Sequence, residues 1–472
     1  MEFHVVILCG LGKQLTPFSQ VRSTGIPKAV LPIANKPMVE YVLRWCELGF
    51  FPKVTIVTDS DSEQVIKQAL VDHKKWVEEQ KQSLTGEQAQ PEAESVMDID
   101  ILSLNADTSG EVLYHIYKNN IIGAYKHFLL LPCDFVTDLP PQVLIEAYRN
   151  REESDIGISV HYRNLLDIED KKHKIFPIEY TIFLELNDGQ CQLLDLYSSA
   201  DIEFQQALKI RTQMCWRYPN SSISMSLMNS SIFFGSTVEI FNIFDTMQEK
   251  STEQYFASRP ISKIVRDLAR RSWKHSQPKE TIGFMLVPDQ ATFFRTTNTH
   301  VLMEANRYFM KLQAQEKGTS GAQQNKDKLA ATVGLDSLVG EGTTLDERTH
   351  VKRTVVGNDC VIGKRVKLTG CLLLNNVTIE DDVQLENCIV GHDVRIQTKL
   401  KLVHCNVEST HDVVKGTQAK NETLHCLSLE GLIEGDESAI ESDSDDDDDD
   451  DESSYDEYDG EFDDNDDGLF GY

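Results

Sequence analysis

The sequence predicts an α/β domain with a doubly wound sheet, then a left-handed parallel β-helix, then a disordered acidic tail. In the first three hundred residues, short β-branched runs alternate with amphipathic segments. In the next hundred, large aliphatic residues recur every 17 positions, and acidic residues dominate the end of the chain. We place the boundaries at residues 1–312 for the first domain, 313–332 for a linker, 333–433 for the β-helix with its C-terminal cap, and 434–472 for the tail.

Charge is distributed unevenly along the 472 residues, which are enough for each domain to bury its own core. Of the 76 acidic residues, 21 lie between Glu434 and the end, where there is no Lys or Arg. The rest of the chain has 55 acidic and 46 basic residues, so the tail carries most of the net charge of -30. Phosphates would repel such a tail, so we expect basic protein partners and no direct nucleic-acid partner.

The N-terminus and the cysteines indicate a cytoplasmic protein of the cytosol. Glu2, and no basic segment, precedes the first apolar run, and no apolar stretch approaches membrane length, so we expect no membrane contact. The ten cysteines include no CxxC pair. We therefore expect reduced thiols rather than disulfides or a zinc site.

In the first domain, four runs read as buried strands of a mostly parallel sheet: "HVVIL", "KVTIVT", "HFLLLPCD" and "DIGISV". Residues 38–47 and 141–149 read as helices between them. Residues 74–95 are polar and rich in Gln and Glu, which is typical of a surface insertion. Residues 314–328 have the composition of a linker and close the domain.

The β-helix is predicted by three columns of aliphatic residues, which correspond to three short strands per coil. At about 4.8 Å per coil, four coils would form a prism about 19 Å tall. The columns are Leu345, Ile362, Ile379 and Ile396; Val351, Leu368, Leu385 and Leu402; and Val339, Val356, Leu373 and Val390.

A fourth column with the same step contains Thr354, Cys371, Cys388 and Cys405. A metal ladder or a redox stack is one interpretation of it. We favour a crowded inward site that accepts only small side chains, because threonine shares the size of cysteine but not its chemistry.

The loop after the first strand, "ILCGLGKQLTP", has the form of a phosphate-binding loop. Glycines after a strand let the backbone approach phosphates, and nucleotidyl transfer also needs a nearby cation and carboxylates that hold magnesium. The loop resembles that of the sugar-nucleotide pyrophosphorylase family, whose signature runs Leu-Ala-Gly-Gly-x-Gly-Thr-Arg-Leu-x-Pro. The matching residues are Gly10, Gly12, Leu15 and Pro17.

The departures from this signature affect its charge. Relative to the family signature, Cys9 replaces a glycine, Lys13 replaces the threonine and Gln14 replaces the arginine. Gln14 is neutral and cannot form the charged fork that stabilises a departing pyrophosphate. Lys13 restores part of the positive potential.

The second half of the signature, "IPKAVLPIANKPM", is better preserved and keeps Pro27, Lys28, Pro32, Lys36 and Pro37. Lys28 corresponds to the phosphate-contacting lysine of the family, although a solvated lysine beside a turn is an equally weighted alternative. "LLLPCDFVTD" resembles the strand that ends in Gly-Asp, where the family's aspartate holds magnesium. Asp134 is kept and Cys133 replaces the glycine. We favour a structural role for Asp134, because a single aspartate at a strand end is weak evidence for a metal.

Preserved architecture with an eroded loop resembles the nucleotidyltransferase-like subunits of eukaryotic translation initiation factor 2B, over roughly residues 1–410. The resemblance is to the gamma type, because the epsilon type adds a helical-repeat domain that carries guanine-nucleotide exchange, whereas here only acidic sequence follows Gly435. It implies a non-catalytic regulatory or structural subunit without a cofactor. The residues Gly10, Gly12, Lys13, Lys28 and Asp134 would be a vestigial nucleotide-binding site.

The resemblance also implies partners. The chain would pair directly with the epsilon subunit, in a heterodecamer with alpha, beta and delta subunits, and promote GDP/GTP exchange on the substrate, initiation factor 2. The alternative is a divergent or inactive sugar-nucleotide pyrophosphorylase, or a regulatory partner of one, with Lys13, Lys28 and Asp134 as phosphate and metal contacts. The tail reads as a solubilising segment, and a docking strip for lysine-rich segments of the substrate is a second hypothesis.

Overall fold

The computed structural model describes residues 2–71, 97–166, 176, 178–186, 189–246, 252–275, 279–319 and 332–426. The predicted insertion at residues 74–95 and the acidic tail therefore lie outside the described residues. The last helix of the first domain runs to Thr319, so the first seven residues of the proposed linker are helical.

The first domain is built on a ten-stranded sheet with helices on both faces. Its strands, with two small two-stranded sheets, are β1 Phe3–Leu8, β2 Pro32–Ile33, β3 Lys36–Pro37, β4 Lys53–Thr58, β5 Asp98–Ser103, β6 His127–Pro132, β7 Phe135–Thr137, β8 Asp155–Arg163, β9 Tyr180–Glu185, β10 Cys191–Tyr197, β11 Ser222–Ser224, β12 Leu227–Ser236, β13 Thr281–Leu286 and β14 Phe293–Arg295. Its helices are α1 Met38–Leu48, α2 with 63–71 as its described part, α3 Ser109–Lys118, α4 Pro141–Arg149, α5 Ser199–Gln205, α6 Thr212–Arg217, α7 Thr237–Thr246, α8 Glu253–Ala257, α9 Ile261–Lys274 and α10 Thr299–Thr319. Short 3-10 turns lie at Lys13–Leu15 and Lys28–Val30.

The sheet has the order β11-β9-β10-β13-β8-β12-β6-β1-β4-β5, which confirms the α/β, Rossmann-like class. Strands β5, β4, β1 and β6 pair in parallel, as do β8 and β13. The other five pairings are antiparallel, so the expectation of a mostly parallel sheet is wrong for the half beyond β6. Strands that are buried on both faces have the same apolar pattern in parallel and in antiparallel pairings, so the sequence did not distinguish the two.

The four strands read from sequence and both helices are present. Helix α4 has the predicted bounds, and α1 is one residue longer than predicted. Helix α1 starts directly after Pro37, whose fixed φ favours a helix start, and ends before Gly49. The C-terminal ends of β1, β4, β5 and β6 meet at one edge, where ligands bind in folds of this class.

Residues 332–426 form a triangular parallel β-helix with three sheets. Its strands are β15 Thr332–Val333, β16 Leu338–Val339, β17 Thr344–Leu345, β18 His350–Lys352, β19 Val355–Val356, β20 Val361–Ile362, β21 Lys367–Thr369, β22 Leu372–Leu373, β23 Thr378–Ile379, β24 Gln384–Glu386, β25 Ile389–Val390, β26 Arg395–Ile396, β27 Lys401–Val403, β28 Asn406–Val407, β29 Asp412–Val413, β30 Gln418–Lys420 and β31 Thr423–Leu424. We call the sheet of β15, β18, β21, β24, β27 and β30 the first sheet, that of β16, β19, β22, β25, β28 and β31 the second, and that of β17, β20, β23, β26 and β29 the third.

The pairing register confirms the step of 17, since Leu345 pairs with Ile362, which pairs with Ile379. The stack is taller than four coils, with six strands in each of the first two sheets. The added positions carry smaller or more polar residues, such as Ala419 under Leu402, which weakened the sequence pattern. Cys371, Cys388 and Cys405 point inward and are buried, as the interpretation as a crowded small-residue site predicts.

The first domain and the β-helix share an apolar joint. Outward side chains of the second sheet would ordinarily face solvent, but Val355, Leu372 and Ile389 are buried against the first domain. Their partners on the first domain are Leu15, Phe18, Leu31, Ile33, Val301 and Leu302. We call residues 9–12 the glycine loop and residues 13–37, which follow it, the signature segment. The signature segment is therefore part of the core between the domains.

Polar contacts fix the register of this joint. The Arg22 guanidinium donates to both carboxylate oxygens of Glu408, over 2.9 and 3.2 Å, and the Thr24 hydroxyl donates to the same carboxylate over 2.8 Å. Asn35 donates to the Val356 carbonyl over 2.8 Å. Glu408 is 1 % exposed, so its charge depends on Arg22 for compensation.

None of the helices in the described part of the chain combines the length and apolar character needed to cross a bilayer.

Replacing Leu385 with alanine tests the β-helix core. The side chain of Leu385 is fully buried between those of Leu368 and Leu402 in the inward column, so Leu385→Ala should destabilise the β-helix by about 2–5 kcal/mol. The neighbouring Gln384 points outward, and Gln384→Ala should cost less than about 0.5 kcal/mol. Urea unfolding followed by far-ultraviolet circular dichroism measures both, and equal losses would contradict the inward assignment of the column.

Candidate functional site

The glycine loop lies at the C-terminal end of β1, as in a phosphate-binding loop. Gly12 has a φ of +73°, and a Cβ atom there would lie 3.2 Å from the Cβ of Lys28. The turn therefore requires glycine for its conformation and for its packing. Gly10 is exposed, and a Cβ atom there would meet nothing within 4 Å, so its position leaves the loop open to a ligand.

A cavity of about 250 Å³ lies between this loop and the ends of β4 and β5. Lys13 is the one cationic side chain among the described residues that line it, whereas Asp59 and Asp107 both contribute carboxylates. Burial raises the pKa of Asp59, and the Gln20 amide donates to its carboxylate. With two acids against one base, the cavity is poorly suited to a triphosphate.

Asp134 follows β6 and is the most constrained charge of the site, with a side chain that is fully buried. The Lys28 ammonium donates to its Oδ2 over 2.5 Å. The Arg295 guanidinium donates through Nε to Oδ1 over 3.0 Å and through Nη2 to Oδ2 over 3.1 Å. Lys28 is therefore not a solvated lysine beside a turn, which corrects that alternative.

Arg295 was not identified from the sequence. It ends β14, which pairs with β7 so that Arg295 lies opposite Phe135, the residue after Asp134. Its Nη1 also donates to the Ser231 hydroxyl over 2.8 Å. The arginine and the aspartate are 161 positions apart, and no local pattern links them. Only the pairing of the two short strands brings them together.

The two cations set the ionisation of Asp134. Burial alone would raise the pKa of this carboxyl, but the charges of Arg295 and Lys28 together lower it below its ordinary value. Asp134 is therefore an anion that pairs with two nearby cations and compensates one of their two charges.

The site does not fit the magnesium ion that the pyrophosphorylase family would place here. Both Asp134 oxygens already accept hydrogen bonds from cations, which would repel a divalent ion. Within the described ranges, no group of three or more His, Cys, Asp or Glu side chains is arranged to hold a metal.

Two cysteines stand where the family has glycines. Cys9 and Cys133 follow the paired strands β1 and β6, and the interaction between the two neighbouring thiols, together with burial, raises the pKa of Cys9. Their side chains occupy room that glycines would leave between the loop and Asp134. Of the sequence-predicted residues, Lys28 and Asp134 are in direct contact, Gly12 packs against Lys28, and Gly10 and Lys13 line the cavity.

Removing Arg295 tests the paired state of Asp134. Arg295→Leu leaves a buried carboxylate with one cation fewer, and we expect a loss of about 3–5 kcal/mol in the free energy of unfolding of the first domain. Arg163→Leu is the control, because its ion pair with Asp289 is half exposed, and it should cost less than about 1 kcal/mol. Tryptophan fluorescence reports the first domain, which contains the buried Trp45 and Trp273. Equal losses in both variants would contradict the arrangement.

A pH series tests the charge of Asp134. Its folded pKa is depressed, so the stabilisation is complete above the unfolded pKa near 4 and is lost as the pH falls through the folded pKa. Asp134→Asn should therefore be less stable than the wild type at pH 7 and lose less on acidification. Urea midpoints between pH 7 and pH 3 measure the difference. Asp289→Asn, at the exposed ion pair, should follow the wild-type curve, and parallel curves for Asp134→Asn would refute a buried anion.

Comparisons with known proteins agree with the architecture. The family model described as the "EIF2B subunit epsilon LbH domain" matches residues 322–419, which cover most of the β-helix. The chain is 25% identical over 375 residues to "Translation initiation factor eIF2B subunit gamma" of Schizosaccharomyces pombe, covering 74% of each chain.

At 375 residues, the match to this relative is longer than the first domain alone, and the match to the family model identifies the triangular stack as a left-handed β-helix. The resemblance that the motifs indicate is confirmed: the chain is similar to the gamma subunit of translation initiation factor 2B and joins a nucleotidyltransferase-like domain to a left-handed β-helix.

Proposed function

We propose that this chain is a non-catalytic subunit of translation initiation factor 2B that pairs with the epsilon subunit and promotes GDP/GTP exchange on initiation factor 2. The observation that supports the non-catalytic role most directly is the paired state of Asp134. Asp134, the carboxylate that would hold magnesium, is paired with Lys28 and Arg295. Lys28, the lysine that would contact phosphate, is paired with Asp134.

The electrostatics of the cavity support the same conclusion. Nucleotidyl transfer needs cations placed where charge develops on the departing pyrophosphate. Gln14 is neutral and exposed, and the cavity presents Asp59 and Asp107. A triphosphate that entered would meet two carboxylates and one lysine, the reverse of the balance that catalysis requires.

The joint between the domains supports a structural role. The signature segment buries Leu15, Phe18, Leu31 and Ile33 against the β-helix. A segment used in this way holds the two domains in one orientation, and the outer surfaces of both then form a continuous platform for other subunits. Pairing with epsilon, assembly with alpha, beta and delta subunits in a heterodecamer, and a cytosolic location rest on the similarity to the gamma subunit.

Purification at native expression levels tests the assembly. A tagged chain should recover the epsilon subunit in equal amount, together with the alpha, beta and delta subunits. Rates of GDP release from initiation factor 2 should fall when the reconstituted complex lacks this chain. Recovery of a sugar-nucleotide pyrophosphorylase without these subunits would contradict the proposal.

A variant of the cavity separates the structural role from the enzymatic alternative. Because no chemistry is assigned to the cavity, Lys13→Ala should change the GDP release rate of the complete complex by less than about twofold. A coupled assay should detect no pyrophosphate when the chain is given magnesium, a nucleoside triphosphate and a sugar 1-phosphate. Magnesium-dependent pyrophosphate that disappears in Lys13→Ala would instead establish a divergent pyrophosphorylase.

A further inference from the structure

The first sheet of the β-helix presents an exposed basic surface, which we call the lysine face. Strands β18, β21, β24, β27 and β30 alternate an inward aliphatic residue with outward side chains. Lys352, Lys367, Lys401 and Lys420 point outward and are exposed, and Glu386 is the one acid among the outward positions of these strands.

The side-chain ammonium groups of the four lysines have no hydrogen-bond or ion-pair partner among the residues that the structure describes. Some exposed arginines elsewhere on the β-helix are paired, as in Arg365 with Asp382 and Arg395 with Glu380. Other exposed cations, such as Lys364 and Lys415, stand singly rather than in a group on one sheet. The lysine face therefore carries uncompensated positive charge on a protein whose net charge is -30.

The lysines of this face are regularly spaced along the stack. Lys352 and Lys420 stand in one column four strand spacings apart, about 19 Å, and Lys367 and Lys401 stand in the other, two spacings or about 10 Å apart. An extended chain that runs along the stack would pass all four. The central strands of the second sheet are covered by the first domain, whereas the lysine face is open.

The same chain contains a segment with the complementary charge and length. Residues 445–452 are eight consecutive acids, "DDDDDDDE", which span about 26 Å when extended. The described chain ends at Cys426 on the same β-helix. The 18 residues between 427 and 444 can span up to about 60 Å, more than the length of the face.

We propose that the acid run at residues 445–452 binds the lysine face of its own chain. Each exposed ion pair contributes less than about 1 kcal/mol, so binding depends on several lysines acting together and on their tether to the acid run. A tethered segment has an effective concentration of order millimolar, which favours it over an acidic segment of another protein. The contact covers the lysine face and occupies the acid run. An acidic partner must therefore displace the acid run from the lysine face, and a basic partner must displace the lysine face from the acid run.

This proposal goes beyond the exchange-factor role and does not depend on it. It also modifies the hypothesis that the tail docks lysine-rich segments of a substrate, because such segments would first have to displace the lysine face.

Lysine reactivity in the full-length chain tests the contact. An amine-reactive acylating reagent, read out by mass spectrometry, should modify Lys352, Lys367, Lys401 and Lys420 about fivefold more slowly in the wild type than in a variant with residues 445–452 replaced by Asn and Gln. The difference should vanish near 1 M salt, where the screening length is about 3 Å. Lys126 and Lys209, exposed on the first domain, are the controls and should react equally in both proteins.

A zero-length carbodiimide provides a second readout. Cross-links should join lysines of the face to residues 445–452, at a yield that does not change when the protein is diluted tenfold. Equal reactivity of the four lysines in both proteins at low salt would overturn the proposal. Protection that falls on dilution would also overturn it and assign the face to a second copy, and protection that appears only with other subunits would assign it to a partner.

Discussion

A buried carboxylate between two cations organises this protein. Asp134 follows β6 in the centre of the sheet, and its partners come from the two segments that reach the β-helix. Lys28 belongs to the signature segment that enters the joint, and Arg295 lies four residues before α10, whose Val301 and Leu302 pack in the same joint. One charge cluster therefore connects the sheet to both sides of the domain interface, and its loss would loosen the joint as well as the site.

The joint has the physical character of a domain core rather than of a transient contact. Aliphatic side chains on the outside of the second sheet replace the polar residues that solvent would favour, and its central strands β19, β22 and β25 are buried on both faces. Burial would raise the pKa of Glu408, but hydrogen bonds from Arg22 and Thr24 hold that pKa below its ordinary value. Glu408 therefore adds a directional contact to the joint. The β-helix is thus held in a fixed position beside the segment that follows the glycine loop.

Sequence was informative where the pattern is local or periodic. The step of 17 fixed the register of the β-helix, including the inward cysteines, because each coil repeats the same local geometry. It was uninformative where geometry depends on distant strands. The antiparallel direction of β12 and the arrival of Arg295 at Asp134 arise from pairings across the fold, and an eroded signature could not show that Lys28 is held by Asp134.

The pattern of loss within the signature has a physical explanation. Gly12, Leu15 and Lys28 match the family, and each has a packing or pairing role that needs no ligand: a positive φ, a fully buried side chain and a buried ion pair. The departures at Lys13 and Gln14 are exposed and have no such role in the fold. Gly10, which matches without such a constraint, and the departures at Cys9 and Cys133, which are not exposed, do not follow this pattern. A motif can therefore remain recognisable because the fold needs it, since the buried side chains and the buried ion pair of these residues contribute to the joint between the domains.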